Sequence, residues 1–84
     1  MQQFTRRIFI LDERYALFYF IRVYTISGLQ YIITVSIQPR EHFIFHMEEK
    51  VGQWKIIELK KLPRWIMEVE ERLAQAIMDE NAKA

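Results

Sequence analysis

His42-Phe43-Ile44-Phe45-His46 is the one segment of this chain that sets two imidazoles at a metal-ligand spacing. Four apart on a helix, two histidines can share one ion. Phenylalanine and isoleucine between them favour a strand instead. A strand puts both rings on one face but about 13 Å apart, at ~3.3 Å per residue. One zinc cannot span that gap, and the chain has no cysteine to complete a site. No metal and no cofactor are expected. His46 and Glu48 share a face at about 7 Å, which suits a sheet-face hydrogen bond better than a general base.

Paired carboxylates are the next arrangement with catalytic potential. Asp12-Glu13, Glu48-Glu49 and Glu70-Glu71 fall beside turns or on a polar helix face, where solvated charge is the ordinary state. Ser27 lies in a turn and Ser36 between Val35 and Ile37, and neither occupies a Gly-x-Ser-x-Gly elbow. Gly28 and Gly52 stand alone, so no glycine-rich loop cradles a phosphate. The residues therefore predict no enzyme, no catalytic residue and no small-molecule ligand. The lack of cysteine also excludes disulfides and thiolate nucleophiles.

The richest chemistry is aromatic. Phe18, Phe20 and Tyr24 alternate around Arg22, with Ile32 and Ile44 expected on the same sheet face and the two histidines nearby. Sheets that hold single-stranded nucleic acid use such surfaces, stacking rings on bases while arginine meets phosphate. The competing reading is that these rings are simply buried, because aromatics pack well on pleated surfaces. A net charge of +1 is small for a protein that grips many phosphates. The leading expectation is a non-catalytic module that forms a homodimer through Phe18, Phe20, Arg22, Tyr24, Ile32 and Ile44. A single-stranded nucleic-acid-binding domain on the same residues is the alternative.

The elements that must position these residues are legible from periodicity. Strands are predicted over about 4–11, 15–25, 29–38, 41–48 and 53–59, separated by Asp12-Glu13, Ser27-Gly28, Pro39-Arg40 and Glu49-Lys50-Val51-Gly52. From Pro63 to about Asp79, Trp65, Ile66, Val69, Leu73, Ala76 and Ile77 recur at three- and four-residue spacing, which predicts one amphipathic helix. Pro63 suits its first position, where a missing amide hydrogen costs nothing. Residues 81–84 read as a frayed tail. The fold class is therefore α+β. A single domain over 1–84 holds an antiparallel meander of four to five strands, then one C-terminal helix packed on one sheet face.

The facing of the second strand rests on its turn. With a three-residue loop, Ile26-Ser27-Gly28, and Gly28 in the left-handed region, Val23 falls opposite Tyr31 and Ile21 opposite Ile33. Leu17, Tyr19, Ile21, Val23, Tyr31, Ile33, Val35 and Ile37 then form the core face. Phe18, Phe20, Arg22 and Tyr24 join Gln30, Ile32, Thr34 and Ser36 on the other side. One helix covers only one face of a sheet, so the second face requires a partner.

Hydrophobic residues make up 51% of the chain and charged residues 27%, which suits a globular domain with a real core. Arg14 and Arg22 interrupt the longest apolar run, well short of the roughly 18 residues a membrane helix needs. No signal-peptide pattern opens the chain. A cytoplasmic setting and no membrane partner are expected. Residues 1–47 carry Arg6, Arg7, Arg14, Arg22 and Arg40 against Asp12, Glu13 and Glu41, so the strand-rich half is mildly basic. The order of meander then helix resembles, in topology alone, the nucleic-acid-binding folds of the PUR and Whirly type, whose units dimerise. Gly52-Gln53-Trp54-Lys55-Ile56 is also similar to strands in cystatin-like sheets, which place their main helix before the strands. Neither likeness assigns a role to a residue.

Overall fold

In a computed structural model that describes residues 3–10, 14–38, 41–57 and 62–83, alternating apolar residues build five antiparallel strands. They are β1 (Gln3–Ile10), β2 (Arg14–Thr25), β3 (Gly28–Gln38), β4 (Glu41–Lys50) and β5 (Gln53–Ile56), paired in chain order as a meander. Two helical segments follow, α1 (Arg64–Glu68) and α2 (Glu70–Ala82). The α+β fold class is therefore as expected. The Asp12-Glu13 turn, the Pro39-Arg40 break, Glu58 and Leu59 of the fifth strand, and Ala84 of the tail lie outside the described residues.

The helix differs from the single run predicted. Val69 leaves helical geometry at φ −102° and ψ 10°, and its N–H bonds to the Ile66 carbonyl at 3.2 Å. Pro63 precedes the first helical residue rather than occupying it, and its carbonyl accepts from Ile66 N–H at 3.1 Å. The buried positions are nonetheless those of the apolar stripe: Ile66, Val69, Leu73, Ala76 and Ile77. Asn81, assigned to a frayed tail, is helical and held by side-chain hydrogen bonds to β2 and β3.

β2 is turned over relative to the pairing expected. The turn holds two residues, Ile26 and Ser27, and closes at Thr25 opposite Gly28. Gly28 does have positive φ, at +122°, and its carbonyl accepts from the Thr25 hydroxyl at 2.8 Å. With one loop residue fewer, Arg22 faces Tyr31, Phe20 faces Ile33 and Phe18 faces Val35. A one-residue slip moves every side chain of a strand to the other side. Phe18 and Phe20 are therefore wholly buried, while Leu17 and Tyr19 are exposed.

Packing explains why this facing prevails. Phe20 stacks on Phe4 of β1 with ring centres 4.4 Å apart, and Phe18 meets Trp65 of α1 edge-on at 6.3 Å. Trp65 also meets Phe43 of β4 edge-on at 6.0 Å, so one indole ties two strands to the helix. Phenyl rings bury a large apolar area and have no hydroxyl to satisfy. Turning Tyr19 inward instead would bury a hydroxyl. β3 and β4 face as the sequence indicated, with Tyr31, Ile33, Val35, Phe45 and Met47 in the core.

Candidate functional site: the outer face of the sheet

Strand alternation and the pairing register together define the surface opposite the helices. Tyr19, Thr34 and Ile44 form one cross-strand row, and Ile21, Ile32 and His46 the next. Val23, Gln30, Glu48 and Lys55 form a third. The centre of this face is thus Leu17, Tyr19, Ile21, Val23, Ile32 and Ile44, of which Leu17, Tyr19 and Ile44 are exposed and the others half-buried. Formal charge stands at its margins, with Arg7 on β1, Glu48 and Lys50 on β4 and Lys55 on β5. Glu48 accepts from Gln30 at 3.4 Å and pairs with Lys50 at 3.3 Å.

The six residues expected to act together are divided by the sheet. Ile32 and Ile44 lie on the outer face, as expected. Phe18 and Phe20 do not, because the shorter turn points them into the core. Arg22 is half-buried on the helix side, where its Nε donates to the Tyr31 hydroxyl at 3.1 Å and its Nη2 to Asn81 Oδ1. The Tyr31 hydroxyl in turn donates to Asn81 Oδ1 at 2.8 Å. The bond to Tyr31 is the main reason the Arg22 pKa is held above its ordinary value, against the opposing pull of partial burial. Arg22 is a fastening for α2 and does not face the open surface. Tyr24, next on the same side of β2, is exposed and also interacts with Arg22.

Leu17, Tyr19, Ile21 and Val23 take the places assigned to the phenylalanines. Their signal was present, since both alternating faces of β2 are apolar. At one corner of the outer face, the Arg7 guanidinium lies over the Tyr15 ring at 5.3 Å, and Phe9 meets Tyr15 edge-on at 5.2 Å. Sequence reasoning gave this trio no role.

A groove of about 310 Å³ runs on the other side, between β5 and α2. Trp54, Lys55, Glu70, Glu71, Gln75 and Met78 line it, so His46 and Glu48 are not its residues. The Glu70 carboxylate there accepts from Ile56 N–H at 2.8 Å and lies 3.9 Å from Lys55. Among the described residues, no three metal-ligating side chains gather. None of the described helices is long and apolar enough to cross a membrane. No family model, curated protein or solved structure matches the chain.

Proposed function

We propose that this chain is a non-catalytic interaction module that self-associates through the outer face of its sheet. The carrying observation is a charge-free centre, Leu17, Tyr19, Ile21, Val23, Ile32 and Ile44, that no described part of the chain covers. Strand spacing of ~4.8 Å and a rise of ~3.3 Å per residue make the whole face roughly 20 by 25 Å, about 500 Å². The apolar centre is only part of that area, within the few hundred Å² of apolar surface that monomers expose and that often marks a functional face. A standard interface takes about 800 Å² from each partner, so the proposed dimer is weak and dissociates on dilution. A second copy suits the face because the centre brings no like charges together across a two-fold axis.

Each sheet edge has one backbone group engaged by α2: the Phe9 carbonyl of β1 accepts from Arg72, and the Ile56 N–H of β5 is held by Glu70. A strand added at those points would have to displace these bonds. Sedimentation across a concentration series tests the reading, with wild type beside Ile44→Asp and Tyr19→Asp. Both substituted positions are exposed, so the variants fold. Wild type should shift from monomer to dimer as concentration rises, and the variants should remain monomeric. A wild-type monomer throughout, or variants that dimerise unchanged, refutes it.

One observation favours the nucleic-acid reading on different residues. Arg7 over Tyr15, with Phe9 beside them, offers two exposed rings and a guanidinium on the outer face. Titrating a labelled single-stranded oligonucleotide at two salt concentrations tests it. Affinity that falls steeply with salt supports this reading, and no binding at low salt removes it.

A further inference from the structure

Both histidines of the chain lie on the outer face of the sheet, one on each side of the exposed Ile44. His42, Ile44 and His46 follow one another on the outer side of β4, about 7 Å from each to the next. Across the sheet, His42 stands opposite Ser36 and His46 opposite Ile32. The Ile57 N–H bonds to the His46 carbonyl at 2.9 Å, which sets Ile57 on its other side, two residues after Lys55 and on the same face. His46 is therefore a half-buried imidazole in a row of isoleucines, Ile21, Ile32 and Ile57, while His42 is exposed.

The other charges around His46 hold steady near neutral pH. On β4 they are Glu48 and Lys50, and on β5 Lys55, while Gln30, Ile32, Thr34 and Ser36 of β3 carry none. Arg7 on β1, with Tyr15 and Tyr19 on β2, completes the titratable groups of this face among the described residues. Carboxylate, ammonium, guanidinium and phenol groups ordinarily keep one charge state between about pH 5.5 and about pH 7.5. Imidazole changes its state within that interval. The centre of the face is thus charge-free only while its histidines are neutral.

We infer that the self-association proposed above, on which this step rests, is controlled by pH, with His46 as the group whose protonation separates the two copies. A two-fold axis doubles each histidine, so four imidazoles belong to one interface. A neutral His46 ring packs beside the isoleucines. A charged one must shed water on burial and brings a second like charge from the other copy, and both effects oppose the dimer. Glu48 favours the charged ring, but its carboxylate already serves Gln30 and Lys50 and does so in monomer and dimer alike. Burial in the dimer therefore lowers the proton affinity of His46 relative to the monomer. Self-association is complete above the ordinary imidazole range and is lost as pH falls through it.

Sedimentation at about pH 7.5 and about pH 5.5 tests this, with wild type beside His46→Gln, His42→Gln and Ile44→Asp. A proton taken up by the monomer alone weakens association about tenfold across that interval, so the two copies of His46 give about a hundredfold for wild type. His46→Gln should dimerise with equal affinity at both pH values, and His42→Gln should keep most of the wild-type response. Ile44→Asp, monomeric throughout, should retain its circular dichroism spectrum at both, which separates dissociation from acid unfolding. Wild type that dimerises equally at both pH values overturns the inference and leaves the self-association reading standing. His46→Gln that responds to acid as wild type does overturns it too, as does Ile44→Asp that unfolds at the lower pH. Wild type that is monomeric at both removes the self-association and its pH control together.

Discussion

Glu70 and Arg72 stand two residues apart on α2, about 200° around the helix, and hold opposite edges of the sheet. The Glu70 carboxylate takes the Ile56 N–H of β5, and the Arg72 guanidinium donates to the Phe9 carbonyl of β1. A flat five-stranded sheet is about 19 Å across, whereas a helix with its side chains is about 10–12 Å wide. Antiparallel sheets twist, which brings their edges nearer a helix lying across one face than a flat sheet would. Arg6 of β1 adds an ion pair to Glu80 at 3.2 Å further along α2.

Removing the Glu70 carboxylate should be the costlier of the two edge substitutions. Glu70→Ala leaves a part-buried amide without its acceptor and should lower stability by about 1–2 kcal/mol in urea denaturation. Glu70→Gln keeps an oxygen and should recover part of that. Arg72→Ala frees an exposed carbonyl that water can satisfy, so its loss should stay below about 1 kcal/mol.

The facing of β2 can be read from neighbouring positions. Phe20→Ala empties a fully buried site against Phe4 and should cost about 3–5 kcal/mol. Tyr19→Ala, on the outer face, should cost under about 1 kcal/mol in dilute monomer. The opposite ranking would mean that the longer turn is correct.

Val51→Asn should stabilise the chain by roughly 1 kcal/mol, because asparagine tolerates the left-handed conformation that valine resists. Thermal denaturation measures the shift. A loss of stability would show that the Val51 side chain supports the hairpin.

Tyr31→Phe removes the hydroxyl that accepts from Arg22 and donates to Asn81, and should cost about 1–2 kcal/mol. Arg22 has a folded-state pKa raised above the ordinary arginine value, so its contribution is complete at every pH below that ordinary value. It disappears only as pH climbs through the higher folded value. The penalty of Tyr31→Phe should accordingly be equal at about pH 6 and about pH 9. A penalty that shrinks across that interval, followed by urea denaturation at each pH, would show another group titrating in the fastening.

Sequence alone located the five strands and the apolar stripe of the helix, and it failed at the one strand whose two sides are alike. In β4, Phe43, Phe45 and Met47 alternate with His42 and His46, so polarity chose the inner side. In β2, Phe18 and Phe20 compete with Leu17, Tyr19, Ile21 and Val23, and alternation cannot rank them. What decided was non-local: the Phe4 ring on Phe20 and the Trp65 ring on Phe18. The same slip divided the expected site, sending Arg22 to Asn81 and leaving Ile32 and Ile44 outside. That one helix cannot cover both sides was legible from the start; which residues it leaves bare was not.

The contacts that close this molecule join its most distant parts: Phe9 with Arg72, Arg6 with Glu80, Arg22 with Asn81. During translation, at about 5–20 residues per second, the hairpins of the meander can form as they leave the ribosome. Their greasy inner surface then waits for α1 and α2, which pack against it. Nascent chains stalled short of residue 70 should be the form that chaperones capture, and α2 marks the moment of release.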